Sequence, residues 1–388
     1  MASDISQTLR SKGKKRQHDD SDEDWAVDSN LSTTSNKSNL SNTSLGDGKL
    51  QPSTSSWEIV DLKAVGVFYN SNSLPIPTLL DMIYDQSGMF GALKTPQKEF
   101  VEGLQKNITF SSSMLNVKTG YHLNDILSES KHNLESNKDT NSKVEDFIAN
   151  TVLMIRCALE RQIPAKLTKA VFVDLFKSFA KMCGLVAVCG SEWRTNIDIL
   201  KCRVSSEADV ILMNADYLKN KKSTVSVVSI KEVKNLSHKL EKCVQPKRTR
   251  PKRKTSNDSS SSSDTQEEPL YEEPEIFKRI KQPVLAQHGG ELLVHAHGHH
   301  TWSFMKHVKR SDNSCNSKFL PGMIVIGTQV TITVLDYSQY HQNEITDKSF
   351  IGSGRSCIYY SDTKDLLKKE DRDMVIEALV RMNNGCTP

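Results

Sequence analysis

The sequence predicts an α/β (α+β) protein in which a mixed sheet is flanked by helices. Three observations predict this class: two neighbouring segments place apolar residues at helical spacing, β-branched runs follow them, and helix and strand patterns then alternate to the end of the chain. The order helix, strands, helix, strands, helix is typical of one sheet with helices packed on it.

The predicted helices lie in the second half of the chain. Residues 144–160 repeat apolar side chains every three or four positions, and residues 167–184 do the same. Gly184 is the expected stop of the second helix. Further helices are predicted at 283–295, despite a Gly-Gly pair inside that segment, and at 363–382.

The predicted strands are short and rich in β-branched residues. They cover 196–204, 208–214 and 225–235, and the last of these is the clearest strand pattern in the chain. Residues 322–337 predict a hairpin with its turn at Gly327–Thr328, because two apolar β-branched runs flank a small polar turn. We expect 209–214 and 225–233 to pair as neighbours.

Composition divides the chain into four parts. Residues 1–55 are rich in Ser, Asn, Asp and Thr and are expected to be disordered, since they cannot bury enough apolar surface to offset the entropy of ordering. A small accessory region is predicted at 56–127 and a polar linker at 128–143. The main domain is predicted at 144–385, interrupted by a basic, Ser-rich disordered insertion at 239–276.

Bulk properties exclude several classes of protein. The 388 residues carry a net charge of only +4, and eight cysteines occur without a CxxC pair, so reduced thiols are expected rather than a disulfide framework or a zinc site. The N-terminus has no apolar core typical of a signal peptide, and no apolar run is long enough to span a membrane. We therefore expect a soluble intracellular protein.

A candidate catalytic cluster is predicted where two strands meet. Glu232 and Lys234 project from the same face of their strand because strand side chains alternate. Asp209 opens the neighbouring strand and is expected to approach Glu232. Two carboxylates with open coordination positions suit Mg²⁺, so we expect Asp209 and Glu232 to hold that metal. The lysine would orient water and stabilise charge on a phosphate.

This arrangement resembles the PD-(D/E)XK, or restriction-endonuclease-like, superfamily. The resemblance is carried by Asp209 in EADVILM and by Glu232-Val233-Lys234 in IKEVKN, although Ala208 stands where the family often has proline. The later elements are similar to those of nuclease-like domains in eukaryotic effector and transposon-associated proteins.

The resemblance implies a fold and further site residues. It implies an αβββαβ core between about 144 and 382, and a helix whose Gln287 and Glu291, four residues apart, face the site as part of the catalytic cluster. It also implies an acidic residue on the first core helix, for which Asp174 and Glu192 both remain open.

A basic run lies inside the predicted insertion. Six cations in eight residues on a solvated loop suit a nuclear import receptor or the backbone of a nucleic acid: Lys247, Arg248, Arg250, Lys252, Arg253 and Lys254. We expect a nuclear location, and otherwise a cytoplasmic one.

The sequence thus predicts metal-dependent hydrolysis of phosphodiester bonds in nucleic acid, with DNA favoured. The alternative is a catalytically inactive nuclear binding or scaffold module on the same fold. No small-molecule cofactor is evident, and a kinase-like fold is disfavoured because no Gly-rich phosphate loop or catalytic-loop motif is present. We expect the partners to be nucleic acid and an import receptor, with no membrane.

Overall fold

The computed structural model describes residues 50–110, 138–159, 168–190, 193–214, 225–231, 273–298, 317–346 and 354–384. Most of the predicted disordered segment 1–55, linker 128–143 and insertion 239–276 lies outside these residues, and only 50–55, 138–143 and 273–276 of them are described. Within them the chain is a mixed α/β protein, as the sequence predicts.

The strands alternate with helices along the chain. The strands are β1 Val67–Tyr69, β2 Val186–Val188, β3 Thr195–Ile199, β4 Cys202–Ser206, β5 Val210–Met213, β6 Val225–Lys231, β7 Ser317–Ile326, β8 Gln329–Ser338, β9 Ser356–Tyr360 and β10 Lys364–Asp365. The helices are α1 Ile59–Ala64, α2 Ile76–Ser87, α3 Thr95–Asn107, α4 Lys138–Leu159, α5 Lys169–Met182, α6 Ile276–Arg279, α7 Gln282–Gly298, α8 Gln339–Thr346 and α9 Lys369–Met382, and a short 3₁₀ turn at Thr54–Ser56 precedes α1.

One mixed sheet of eight strands dominates the part of the chain that the structure describes. Its order is β1-β9-β8-β7-β6-β5-β2, with β10 beside β8. The pairs β6–β7 and β1–β9 are parallel and the other pairs are antiparallel. Strands β3 and β4 form a separate hairpin between β2 and β5 in the sequence. The parallel pair β6–β7 requires a crossover, and α7 lies within it.

Several sequence predictions are confirmed here. The predicted pairing of 209–214 with 225–233 is the β5–β6 pair, with Val210 opposite Val228. The predicted hairpin is β7–β8, whose two-residue turn begins at Gly327 with φ of 64°, a left-handed conformation that suits glycine. The predicted final helix begins at Lys369 rather than 363, because Lys364 and Asp365 pair with β8 instead.

Two apolar cores lie on opposite faces of the sheet. Alternate residues of β6 divide between them: Val228 and Ile230 join the core formed with α2, α3, α4, α5 and α9, while Val227 joins the core formed with α1, α7 and the β3–β4 hairpin. Because both faces of β6 are covered, its nearly continuous apolar run has a physical reason. Among the described residues, no helix combines the length and apolarity needed to cross a membrane.

The predicted accessory region 56–127 contributes to the same sheet through its described part. Strand β1 pairs with β9, Leu62 of α1 lies in the same core as α7, and the Trp57 indole donates to the Gln51 carbonyl at 3.0 Å. These contacts explain the Gly-Gly pair inside α7. A Cβ at Gly289 would lie 2.7 Å from Leu62 Cδ1, and a Cβ at Gly290 would lie 2.7 Å from Trp57 Cε3.

Gly290→Ala is therefore expected to lower the free energy of unfolding by about 1–3 kcal/mol, because the methyl group overpacks the Trp57 contact. The matched control is Gly103→Ala in α3, where an added Cβ meets nothing within 4 Å. That change should raise the free energy of unfolding by about 0.5–1 kcal/mol, since alanine is the better helix former. Urea unfolding measures both, and equal effects in the two variants would contradict the packing argument.

Candidate functional site

Polar side chains from four elements meet where β6 ends and β5 begins. Asp209 directly precedes β5, and the antiparallel register brings it beside the last residues of β6. Its Oδ2 accepts a hydrogen bond from the Ile230 backbone N–H at 2.6 Å. Its Oδ1 contacts the ammonium of Lys169, the first residue of α5. The sheet backbone thus fixes one carboxylate oxygen while a side chain covers the other.

Helix α7 brings two further polar groups to the same place. Gln287 and Glu291 lie one helical turn apart, and the Gln287 Nε2 donates to Glu291 Oε1 at 2.6 Å. The Lys231 ammonium donates to Gln287 Oε1, also at 2.6 Å. Lys231, Gln287 and Glu291 therefore form a continuous hydrogen-bonded row from the end of β6 into the helix. Gln287 and Glu291 are both buried.

A chain of buried hydrogen bonds continues from Glu291 across the sheet. The Ser229 hydroxyl donates to Glu291 Oε2, its Oγ lies 2.6 Å from His288 Nδ1, and His288 Nε2 lies 2.8 Å from Thr333 Oγ1. Because Ser229 donates to the carboxylate, its oxygen accepts from the His288 Nδ1–H. The Thr333 hydroxyl then donates to His288 Nε2, and every donor points toward Glu291.

Burial keeps the histidine in this chain neutral. It lowers the pKa of His288 to about 3. The imidazole crosses β7 at Gly322, where an added Cβ would lie 2.8 Å from Thr333 Oγ1 and 3.1 Å from His288 Cε1. The missing side chain at Gly322 therefore makes the room in which His288 links β6 to β8.

The surroundings of Glu291 raise its pKa from an ordinary 4.5 to about 7. Burial is the largest cause of this rise, and the nearby Asp209 charge acts in the same direction. Hydrogen bonds from Ser229 and Gln287 and the Lys231 charge oppose that rise only in part. A further positive charge placed near Glu291 would favour the ionised form of its carboxyl group.

The structure brings together three of the five residues predicted for the catalytic cluster. Asp209, Gln287 and Glu291 lie in it, whereas Glu232 and Lys234 are outside the described residues. The six residues of the basic run and Glu192 are also outside them. Asp174, on α5, is described and its side chain is exposed. The predicted roles of Glu232 and Lys234 remain predictions.

Sequence reasoning missed Lys169, Ser229, Lys231 and His288. Ser229 and Lys231 have the same two-residue spacing as the pair chosen from sequence, but they belong to the opposite set of alternating strand residues. Considering both sets would have found them. Lys169 gave no sequence signal, because its contact with Asp209 joins residues 40 positions apart.

The oxygen atoms that the cluster could offer as metal ligands are of the kinds that a hard divalent cation prefers. Asp209 and Glu291 supply carboxylate oxygens, Gln287 an amide oxygen and Ser229 a hydroxyl oxygen. Within the described ranges no group of three or more His, Cys, Asp or Glu side chains has metal-binding geometry. A cation here would thus take only two carboxylates from those ranges and would keep water ligands, as Mg²⁺ does.

Comparison with known proteins places the chain in no family. No protein-family model matches it, and no curated protein matches it.

The pKa of Glu291 predicts a pH-dependent effect of Glu291→Gln on stability. Folded Glu291 binds its proton more tightly than the unfolded residue does, so its contribution to stability falls as pH rises from about 4.5 to about 7. The glutamine variant lacks this titration. We therefore compare the two free energies of unfolding as a difference, variant minus wild type. This difference should rise by on the order of 3 kcal/mol between about pH 4.5 and about pH 7.

Urea unfolding at several pH values measures this difference. The depressed pKa of His288 acts in the opposite direction but is present in both proteins, so it largely cancels. A difference that stays constant from pH 4.5 to 7 would show that Glu291 titrates normally in the folded protein.

Proposed function

We propose that the chain hydrolyses phosphodiester bonds of nucleic acid, with DNA favoured, in a reaction that depends on Mg²⁺. The observation that carries the proposal is the meeting of Asp209, Glu291 and Lys231 at the end of β6. Two carboxylates beside a lysine provide oxygen ligands for a divalent cation and a positive charge for a phosphate.

The order of elements supports a restriction-endonuclease-like core. Taken in sequence, α5, β2, β5, β6, α7 and β7 follow the αβββαβ order that the resemblance implies, with the β3–β4 hairpin inserted after β2. In space, β2, β5 and β6 are antiparallel neighbours and β7 is parallel to β6. The carboxylate cluster lies at the end of β6 from which the chain leads to α7.

Asp209 and Glu291 would hold the cation. Bound Mg²⁺ would supply a more acidic water and a polarised phosphate. Lys231 would stabilise the negative charge that develops on the phosphate, and its ammonium is kept in position by the Gln287 amide oxygen. Ser229 and His288 would hold the Glu291 carboxylate in one orientation, since both lie in its buried hydrogen-bond chain.

One observation favours the inactive nuclear binding or scaffold module. Each carboxylate oxygen of Asp209 and Glu291 already accepts a hydrogen bond from the protein itself. The two negative charges are thus stabilised without a metal. On this reading the cluster serves only the packing of α5 and α7 on the sheet.

The proposed partners follow from the basic run. Its six lysines and arginines fit an import receptor, and the same charges fit a nucleic-acid backbone. We propose a nuclear location on this basis for either function.

A cleavage assay separates the two functions. The full-length protein is incubated with supercoiled plasmid, single-stranded DNA and RNA, with Mg²⁺ or with EDTA. We expect Mg²⁺-dependent conversion of the plasmid to nicked or linear forms. Absence of cleavage of all three substrates, in a protein shown to be folded, would favour the binding module.

A further inference from the structure

The two oxygens of Asp209 are held by very different partners. The Ile230 N–H belongs to the sheet backbone and cannot leave without disturbing β6. The Lys169 ammonium, in contrast, sits on a flexible side chain that is 43% exposed, whereas the Asp209 side chain is 11% exposed. Lys169 is therefore the partner that can exchange with a solvent cation while Asp209 stays in place.

The position of Lys169 in its helix is not explained by helix stability. It is the first residue of α5, after Thr168 at the N-cap. The N-terminal end of a helix carries partial positive charge, which disfavours a lysine there by a few tenths of a kcal/mol. The contact with Asp209 gives the lysine an electrostatic reason to occupy this position.

Two ammonium groups already lie at the cluster. Lys169 contacts Asp209, and Lys231 donates to Gln287, which in turn donates to Glu291. A divalent cation added to this arrangement would lie near both ammonium groups. Like charges repel more strongly in a partly buried site than in water, so the more exposed ammonium is the one expected to move.

We propose that Lys169 is the internal counter-ion of the metal site: it holds Asp209 while no divalent cation is bound, and a divalent cation displaces it. The inference rests on the proposed function, because it assigns a metal site to Asp209 and Glu291. It makes Lys169 a positioning residue that keeps the site assembled and lowers its affinity for metal.

Chemical labelling of lysines tests the displacement. The full-length protein is treated briefly with an amine-acylating reagent, with and without Mg²⁺ alone, and labelling is read at each lysine by mass spectrometry. The Lys169 labelling rate should rise several-fold with Mg²⁺, because an amine released from its carboxylate partner is more accessible to the reagent. Lys181, exposed on the same helix, is the control and should not change.

Two variants complete the test. Lys169→Met keeps the length of the side chain without its charge and should raise the Mg²⁺ affinity about five- to tenfold, measured by isothermal titration calorimetry. Lys181→Met should leave that affinity unchanged. Asp209→Asn should make Lys169 labelling fast without Mg²⁺ and insensitive to it.

The outcomes separate this inference from the proposed function. The inference would be overturned if saturating Mg²⁺ left the Lys169 labelling rate unchanged, or if Lys169→Met left the Mg²⁺ affinity unchanged. Either result would count even if the protein cleaves DNA. Mg²⁺-dependent release of Lys169 in a protein that cleaves no nucleic acid would uphold the inference and remove the proposed activity.

Discussion

Lys231→Met is expected to reduce Mg²⁺-dependent cleavage about 10²- to 10³-fold, the loss typical of removing one group that stabilises transition-state charge. The methionine keeps the length of the side chain, so the effect would come from the lost ammonium that now lies 2.6 Å from Gln287 Oε1. Initial rates of plasmid nicking, measured at saturating Mg²⁺, give the comparison.

Asp209→Asn should cause a loss at least as large, because it removes a charge from the proposed metal site and a partner from Lys169. Lys181→Met on α5 is the matched control for a lost surface lysine and should keep wild-type rates. Circular dichroism of each variant checks that the fold is retained. Wild-type rates in Lys231→Met would remove this lysine from the proposed mechanism.

Glu232→Ala and Lys234→Ala test the site chosen from sequence. If Lys234 supplies the catalytic ammonium, Lys234→Ala should show the large loss and Lys231→Met should not. The proposal from the described residues expects the reverse, since Lys231 contacts the Gln287–Glu291 pair. The cleavage rates of these variants thus show which of the two lysines supplies the catalytic ammonium.

Arg372→Met is expected to lower the free energy of unfolding by about 3–5 kcal/mol, a large share of the stability of an ordinary domain. The buried guanidinium donates to the carbonyls of Leu366 at 2.9 Å, Ile108 at 2.8 Å and Phe110 at 2.6 Å. It also lies 4.2 Å from the centroid of the Phe110 ring. Methionine fills part of the volume but leaves these carbonyls without their donor.

Arg355→Met is the matched control. Arg355 also lies over an aromatic ring, 5.4 Å from the centroid of Phe68, but its side chain is exposed. Its replacement should cost less than about 1 kcal/mol, because exposed cation–π contacts are weak. Urea unfolding measures both variants. Similar losses would mean that the ring contact, and not the carbonyl hydrogen bonds, accounts for the role of Arg372.

Sequence periodicity was sufficient for the helices α4, α5, α7 and α9 and for the strands β5 to β8. The single strand predicted at 196–204 is wrong, because the chain turns there to form the β3–β4 hairpin. The apolar repeat of 167–184 predicted α5, and Gly184, with φ of 88°, ends that helix as expected. The β-branched run 225–231 predicted β6, and the small turn at Gly327 predicted the β7–β8 hairpin. These predictions succeeded because each depends on interactions between residues that are close in sequence.

The candidate site could be predicted only in part. Asp209 was found because it opens a strand that pairs with its neighbour in the chain, and Gln287 and Glu291 because they share one helical face. Lys231 and Ser229 were missed. The sequence at the end of β6 has polar residues in both sets of alternating positions. A shift of one residue exchanges the set that faces a given helix, so the pattern alone does not select the set that meets α7.

What the amino-acid sequence alone determined was local: the helices and strands, the hairpin turn and the polar residues at their ends. Only the tertiary structure decided that β1 joins the sheet beside β9, that the odd-numbered face of β6 meets α7, and that Lys169 reaches Asp209. The physical reason is that strand order and helix placement depend on apolar packing between distant segments, which no local periodicity encodes.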